Sequence, residues 1–367
     1  MFEDTDRLLE EYSGKKVAGA CAVVFVDGKT AYERYCGFSD PGKGNPLGEN
    51  TFFRLASMTK PVTAVSALLC MEKGLFSLDD PIERYLPAFS ELYLAEKAEG
   101  GFVRGKRVDK SVTVKNLLSH GSGIGSGESG EIQFEAVKPR EGDTVRTAVD
   151  RYAGTYLDFI PGTKQAYSPV MAMDVVVALV EETADMPYGD FLKKYVCDPL
   201  GVRFTYSVTG GEDFALCTKD ENGTLLPVRF PGGFGDFPDG YTGGGAGLSS
   251  TLRDYAVFAE AVRRSFDGRG ILKRESAEAM RTPCHGKEIE GVGDLFNWGL
   301  GCRTLWAQSD WQTLSPGSFG WSGAYGTHFW IDPVKKLTAV YMHSSASYGG
   351  SGAEHAFTFE KSVNASV

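Results

Sequence analysis

Ser57 and Lys60 stand three residues apart in the stretch Phe53-Arg54-Leu55-Ala56-Ser57-Met58-Thr59-Lys60-Pro61. On a helix that spacing puts both side chains on one face, where the lysine amine reaches the serine hydroxyl. A serine beside a basic group is the raw material of nucleophilic catalysis, because the hydroxyl attacks a carbonyl only when its proton has somewhere to go. Pro61 fits only near a helix start, where backbone N–H groups lack partners in any case. The helix therefore begins close to Ser57, and the hydroxyl lies in the positive field of its first turn. The pattern S-x-x-K alone is weak, since a chain of this length holds about one or two by chance. Ser13-Gly14-Lys15-Lys16 is such a match, at the polar end of an N-terminal helix. What sets Ser57 apart is the run Val62 to Met71, apolar on every side, which marks a buried helix ended by Gly74. On these features Ser57 reads equally well as a nucleophile or as a helix cap.

Two further stretches offer chemistry. In Ile160-Pro161-Gly162-Thr163-Lys164-Gln165-Ala166-Tyr167-Ser168-Pro169 a turn runs into a helix expected over about 170–182, with Ser168 as its cap and Pro169 at its first position. Tyr167 then stands just outside a helix start, as a site residue or as a core aromatic. In Phe319-Gly320-Trp321-Ser322-Gly323-Ala324-Tyr325-Gly326 the small residues let a ligand or another backbone approach closely. The five histidines show no H-E-x-x-H spacing, so no metal site is expected. His120 is expected to order its own loop, and His328 to border the site. Asp174, Glu182 and Asp254 read as solvated helix faces or caps. No serine sits in G-x-S-x-G, which excludes an α/β-hydrolase elbow. Thr242 to Thr251 is glycine-rich but lacks the lysine of a phosphate loop, and reads as a tight approach to a helix in which Thr251 and Asp254 form a capping box.

The elements that must position these residues follow from patterning. Residues 3–13 read as an amphipathic helix, and Ala18 to Asp27 as a strand turning through Asp27-Gly28-Lys29 into a second strand to Cys36. Pro41 to Pro46 is loop, and residues 124–145 are expected to form a mobile surface loop. Helices near 170–182 and 188–196 make the middle of the chain largely helical. Strands are expected over 296–304, 327–331 and 337–343, the last two joined by a turn at Asp332-Pro333-Val334-Lys335-Lys336. A hairpin, a helical middle and three strands suggest one sheet split by a helical insertion. A net charge of -10 and a pI near 5.2 argue against nucleic-acid and anionic-membrane partners. No 18-residue apolar run and no leader-like N-terminus is seen, and seven cysteines without a C-x-x-C suit reduced thiols, so a cytoplasmic location is expected.

Ser57-x-x-Lys60, Tyr167-Ser168 and Trp321-Ser322-Gly323 together resemble the serine β-lactamase and penicillin-binding-protein superfamily, in its class C β-lactamase-like branch. The similarity also takes in Leu117 to Gly123, Pro161-Gly162-Thr163, Pro199-Leu200-Gly201 and Gly244 to Ser250, in the family's order. It implies an α/β (α+β) fold of the β-lactamase/transpeptidase type, an antiparallel sheet flanked by helices with an inserted all-helical domain. Residues 1–60 and 236–367 would form the first domain, residues 61–235 the second, and the site would lie at their junction. It further implies that Ser57 forms an acyl-enzyme while Lys60 and Tyr167 share the proton transfers. The backbone amides of Ser57 and Ala324 would form the oxyanion hole, with Trp321, Ser322, Gly323 and Tyr325 meeting the substrate. No cofactor is implied.

Two departures bear on the substrate. Pro169 stands where the family's lactamases and peptidases carry the asparagine of Tyr-x-Asn, and Trp321 stands where they carry the lysine of Lys-Thr-Gly. A hydrogen bond to a charged group is worth about 1.5 to 3 kcal/mol, so losing that lysine disfavours carboxylate-bearing substrates by roughly ten- to over a hundredfold. The pattern resembles the family VIII carboxylesterases, which implies a small ester as substrate. A β-lactamase or D-alanyl peptidase acting on a β-lactam-like substrate is the alternative, and a non-catalytic binding module the third reading.

Overall fold

The computed structural model describes residues 1–40, 42, 44–207, 216–227, 237–350 and 352–367. The strand Gly19–Val26 has no polar face: Ala20, Ala22 and Val24 pack into one apolar cluster and Cys21, Val23 and Phe25 into another. A strand of that kind is stable only when covered on both sides. It lies inside an eight-stranded sheet whose order is Phe296–Trp298, Arg303–Leu305, Phe319–Ser322, His328–Asp332, Leu337–His343, Gly19–Val26, Lys29–Asp40 and Asn45–Pro46, every pair antiparallel. Strands from the two ends of the chain meet at Ala20 opposite His343 and Val26 opposite Leu337, so everything between is inserted into one sheet.

The amphipathic helix Glu3–Tyr12 and the helix Glu354–Asn364 cover one face, Leu8, Leu9, Tyr12, Phe359 and Val363 packing on Ala22, Trp330 and Tyr341. The other face carries the helix Leu252–Ser265 and, beyond it, the helices Thr59–Glu72 and Met171–Ala184, both apolar nearly all round and packed on each other. This burial on every side is what the runs Val62 to Met71 and Met171 to Val180 require.

Asn45–Pro46, expected as loop, pairs as the sheet's edge strand with Lys29–Asp40, and three larger elements also differ from expectation. The sequence 296–304 is not one strand but a hairpin, Phe296–Trp298 with Arg303–Leu305, because Gly299-Leu300-Gly301 turns the chain and Gly301 packs against Ala64 of the Lys60 helix. A hairpin, Leu92–Ala98 with Gly101–Val108, interrupts the segment expected to be largely helical. Residues 128–137 form a helix rather than a mobile loop. Its start is pinned from outside the segment, where the Asp158 carboxylate accepts from the N–H of Ser126 at 2.9 Å and of Gly130 at 3.0 Å. Losing an acceptor strands each part-buried donor, at about 1 to 3 kcal/mol apiece. Asp158→Ala is therefore expected to lower the melting temperature by several degrees and to make residues 124–137 the earliest site of limited proteolysis; cleavage at the wild-type rate and position would refute this account. The expected capping box at Thr251 is half made: Thr251 accepts from Asp254 N–H at 3.1 Å, while the Asp254 carboxylate pairs with Arg203 at 2.9 Å. The expected domain edge at 235/236, part of the glycine-rich stretch from 211 and part of the 41–46 loop fall outside the described residues.

Candidate active site

Ser57 lies in a 3-10 turn, Ala56–Met58, that runs directly into the helix Thr59–Glu72, with Pro61 in the first helical turn. Ala56, just before it, adopts φ +45°, a strained conformation for a residue with a side chain. Three hydrogen bonds from two residues hold the turn: Leu55 N–H donates to Leu248 O at 2.9 Å, Thr59 Oγ1 accepts from Leu248 N–H at 3.3 Å, and Tyr255 OH donates to Met58 O at 3.0 Å.

Lys60 has no solvent exposure, and its ammonium donates to Ser57 Oγ at 3.3 Å, Pro169 O at 2.6 Å and Gly245 O at 2.8 Å. A buried charge survives only when its hydrogen-bonding capacity is met, and three acceptors meet all three donors. Tyr167 OH lies 2.7 Å from Ser57 Oγ, and Trp321 Nε1–H donates to the same phenol oxygen at 3.2 Å. The four residues expected to share a site from three distant stretches are thus joined by direct hydrogen bonds.

The helix after Tyr167 begins at Met171 rather than Pro169. Ser168 Oγ accepts from Ala172 N–H at 3.1 Å, as a cap would, but Pro169 stays outside the helix and turns its carbonyl to Lys60 instead. Gly245 supplies the other carbonyl. A side chain at 245 would come within 2.6 to 2.8 Å of the Pro169–Val170 backbone, so only glycine allows this approach. The Gly244 and Gly245 N–H groups donate to Asp174 Oδ1 at 2.7 and 3.3 Å, and Tyr241 and Tyr152 donate to Oδ2 at 2.8 and 3.2 Å. Asp174 is therefore not a solvated helix face but a wholly buried support for the loop that anchors Lys60. Burial raises its carboxyl to about 6, while Tyr241 and the glycine amides pull the other way.

Strand alternation sorts the other stretch. Trp321 faces Tyr167, so Ser322 faces the opposite side of the sheet, where its Oγ is 2.8 Å from His328 Nδ1 and His328 Nε2 is 3.1 Å from Glu360 Oε1. The expectations that the Ser322 side chain meets substrate and that His328 borders the site are both corrected by this geometry. Gly323 docks on the Ser57 turn: Thr327 Oγ1 donates to Leu55 O at 3.1 Å, Gly323 N–H donates to Thr327 O at 2.7 Å, and a side chain at 323 would strike Leu55 O. Ala324 follows, exposed, and Tyr325 is buried against Ala56 and Leu216. Trp298, which nothing in the sequence singles out, stacks on Tyr167 with ring centroids 5.7 Å apart and meets Trp321 edge-on at 4.6 Å. Only the hairpin's register brings it there.

Among the described residues no group of three or more His, Cys, Asp or Glu is placed to hold a metal ion, and no helix is long and apolar enough to cross a membrane.

A serine hydrogen-bonded to a lysine and a tyrosine, beside a strand end that docks on its turn, has the groups that acyl transfer requires. The family model described as Beta-lactamase matches residues 5–358. "Esterase EstB" of Burkholderia gladioli is 30% identical over 95% of this chain and 90% of its own length. Among solved structures, "EstCE1, a hydrolase with promiscuous acyltransferase activity" superposes with a TM-score of 0.83 at 24% identity over 99% of this chain and 98% of that one. Simvastatin synthase LovD from Aspergillus terreus superposes with a TM-score of 0.80 at 21% identity, again over 99% and 98% of the two chains. These two likenesses bear on the fold, and the family match spans nearly every element described above. The chain belongs to the Beta-lactamase family.

Proposed function

We propose that this protein is a serine esterase that hydrolyses small, fairly apolar carboxylic esters through an acyl-enzyme on Ser57. Ser57 Oγ accepts from the Lys60 ammonium and from the Tyr167 phenol, and the other two Lys60 protons go to backbone carbonyls, so of these two neighbours only the Tyr167 oxygen, once its own proton has left, has a lone pair for the serine proton. In the reacting form Tyr167 has given its phenol proton to solvent; its oxygen takes the serine proton as Ser57 Oγ bonds to the substrate carbonyl, and returns it to the departing alcohol. Water then gives a proton to Tyr167 as it attacks the acyl group, and Ser57 regains a proton as the acid leaves. The backbone N–H groups of Ser57 and Ala324 hold the oxyanion, a role supported by the docking of Gly323 on Leu55.

The observation that carries the ester reading is the Trp321 indole bonded to Tyr167. It supplies a donor to the phenol oxygen and apolar area to the substrate, but no cation for a carboxylate. Pro169 likewise offers no side-chain amide. The name of the EstB relative supports the same reading. In this proposal residues 1–60 and 236–367 contribute Ser57, Lys60 and Trp321, residues 61–235 contribute Tyr167, and seven free thiols support a cytoplasmic location.

The test is a panel of p-nitrophenyl esters of increasing acyl length, run beside nitrocefin. The expected kcat/KM for the best ester exceeds that for nitrocefin by about ten- to over a hundredfold. Comparable turnover of nitrocefin would put the alternative β-lactamase or peptidase reading ahead, and absence of any covalent labelling by a fluorophosphonate would favour a binding module.

A further inference from the structure

His120 takes no part in the steps above, yet its imidazole is completely buried behind Tyr167. It follows the short helix Val114–Leu118 in a left-handed conformation, φ +58°. From there its carbonyl accepts from Ala166 N–H at 2.9 Å, and its Nδ1 accepts from Ser168 N–H at 3.1 Å. One residue thus holds the backbone on both sides of Tyr167. The ring also forms a wall, its centroid 4.7 Å from that of Tyr167 and 4.3 Å from that of Trp298.

An Nδ1 that accepts requires a neutral ring with its proton on Nε2. Nε2 has no hydrogen-bond partner among the described residues, and burial together with the Lys60 charge holds His120 well below the usual histidine range. The imidazole is a fixed acceptor, and the hydrogen bond it makes is aimed at a backbone amide rather than at Ser57.

We infer that His120 is the positioning residue for Tyr167, setting through Nδ1 and its carbonyl the 2.7 Å approach of the phenol oxygen to Ser57 Oγ. The inference rests on the proposed role of Tyr167. Misplacing a proton-transfer partner by about 1 Å costs on the order of a hundredfold in rate, so an acceptor on each flank has a catalytic consequence.

His120→Asn and His120→Gly separate the acceptor from the backbone, because both residues tolerate positive φ while only asparagine keeps an acceptor near the Nδ1 position. Turnover of p-nitrophenyl butyrate is measured per site labelled by a fluorophosphonate, so that loss of folded protein does not count. His120→Gly is expected to lower kcat by about 10- to 100-fold with KM changed less than about threefold. His120→Asn is expected to recover to within about fivefold of the parent. A purely structural role would lower the labelled fraction and the melting temperature and leave kcat per labelled site intact. That result overturns the inference, as does an asparagine variant no better than the glycine one. In a Tyr167→Phe background, His120→Gly should cost less than about twofold more, and a fully additive loss also overturns it. If Tyr167→Phe alone keeps parental turnover, the proposed function has failed at Tyr167 and the positioning role falls with it.

Discussion

Ser57→Ala is expected to lower kcat for p-nitrophenyl butyrate by about 10⁴-fold or more, to the level that substrate binding and the oxyanion donors sustain alone. The variant should still fold. Ser57 is half-buried, and its hydroxyl oxygen accepts one hydrogen bond from Lys60 and one from Tyr167. Without it Lys60 keeps the carbonyls of Pro169 and Gly245, and Tyr167 keeps the indole of Trp321. The net worth of each lost hydrogen bond is about 1 kcal/mol, so the melting temperature should fall by only a few degrees. The decisive measurement pairs kcat with covalent labelling: parent protein gains the mass of the fluorophosphonate adduct and Ser57→Ala does not. Full activity in Ser57→Ala, or an adduct that persists on another residue, would end the proposal that Ser57 carries the acyl group.

How far the site was legible in the sequence depended on the range of the contacts involved. Ser57 and Lys60 were legible because their spacing and Pro61 act within a single helical turn. The strands near 18–36, 327–331 and 337–343 are legible because alternation and turn chemistry are local, and the split sheet follows from their order, whereas the turn inside 296–304 is not. The burial of Asp174 has a local signal that the expectation of a solvated face overlooks: a single carboxylate inside Met171 to Val180, apolar on every side, has no solvated face to occupy and must find buried donors. The place of Ser322 follows an equally local rule, since the side chains of consecutive strand residues point to opposite faces and only that of Trp321 meets the site. The helix at 128–137 was hidden for another reason. Its anchor, Asp158, lies 28 residues from Gly130 in sequence, and no window across 124–145 contains it. Trp298 and the clamp from His120 are likewise products of long-range register.

Tyr167→Phe is expected to cost about 10²- to 10⁴-fold in kcat, the usual worth of a positioned proton-transfer group, with the ring's packing on Trp298 and His120 preserved. Its partner experiment is Trp321→Phe, which keeps an apolar ring at the substrate wall and removes only the indole N–H. In the proposed mechanism that N–H is bonded to the oxygen that is anionic just before it takes the serine proton. A hydrogen bond to a charged group is worth about 1.5 to 3 kcal/mol, so Trp321→Phe should lower kcat by roughly ten- to a hundredfold and leave KM for a short-chain ester close to the parent value. The two losses must not add. Once position 167 has no oxygen, the indole has no charge to stabilise, and Trp321→Phe in the Tyr167→Phe background should cost less than about twofold. Equal losses in both backgrounds would mean that Trp321 serves the substrate directly and that its bond to Tyr167 is incidental. A rise in KM with kcat unchanged would carry the same meaning, because binding lost equally from ground and transition states leaves turnover untouched.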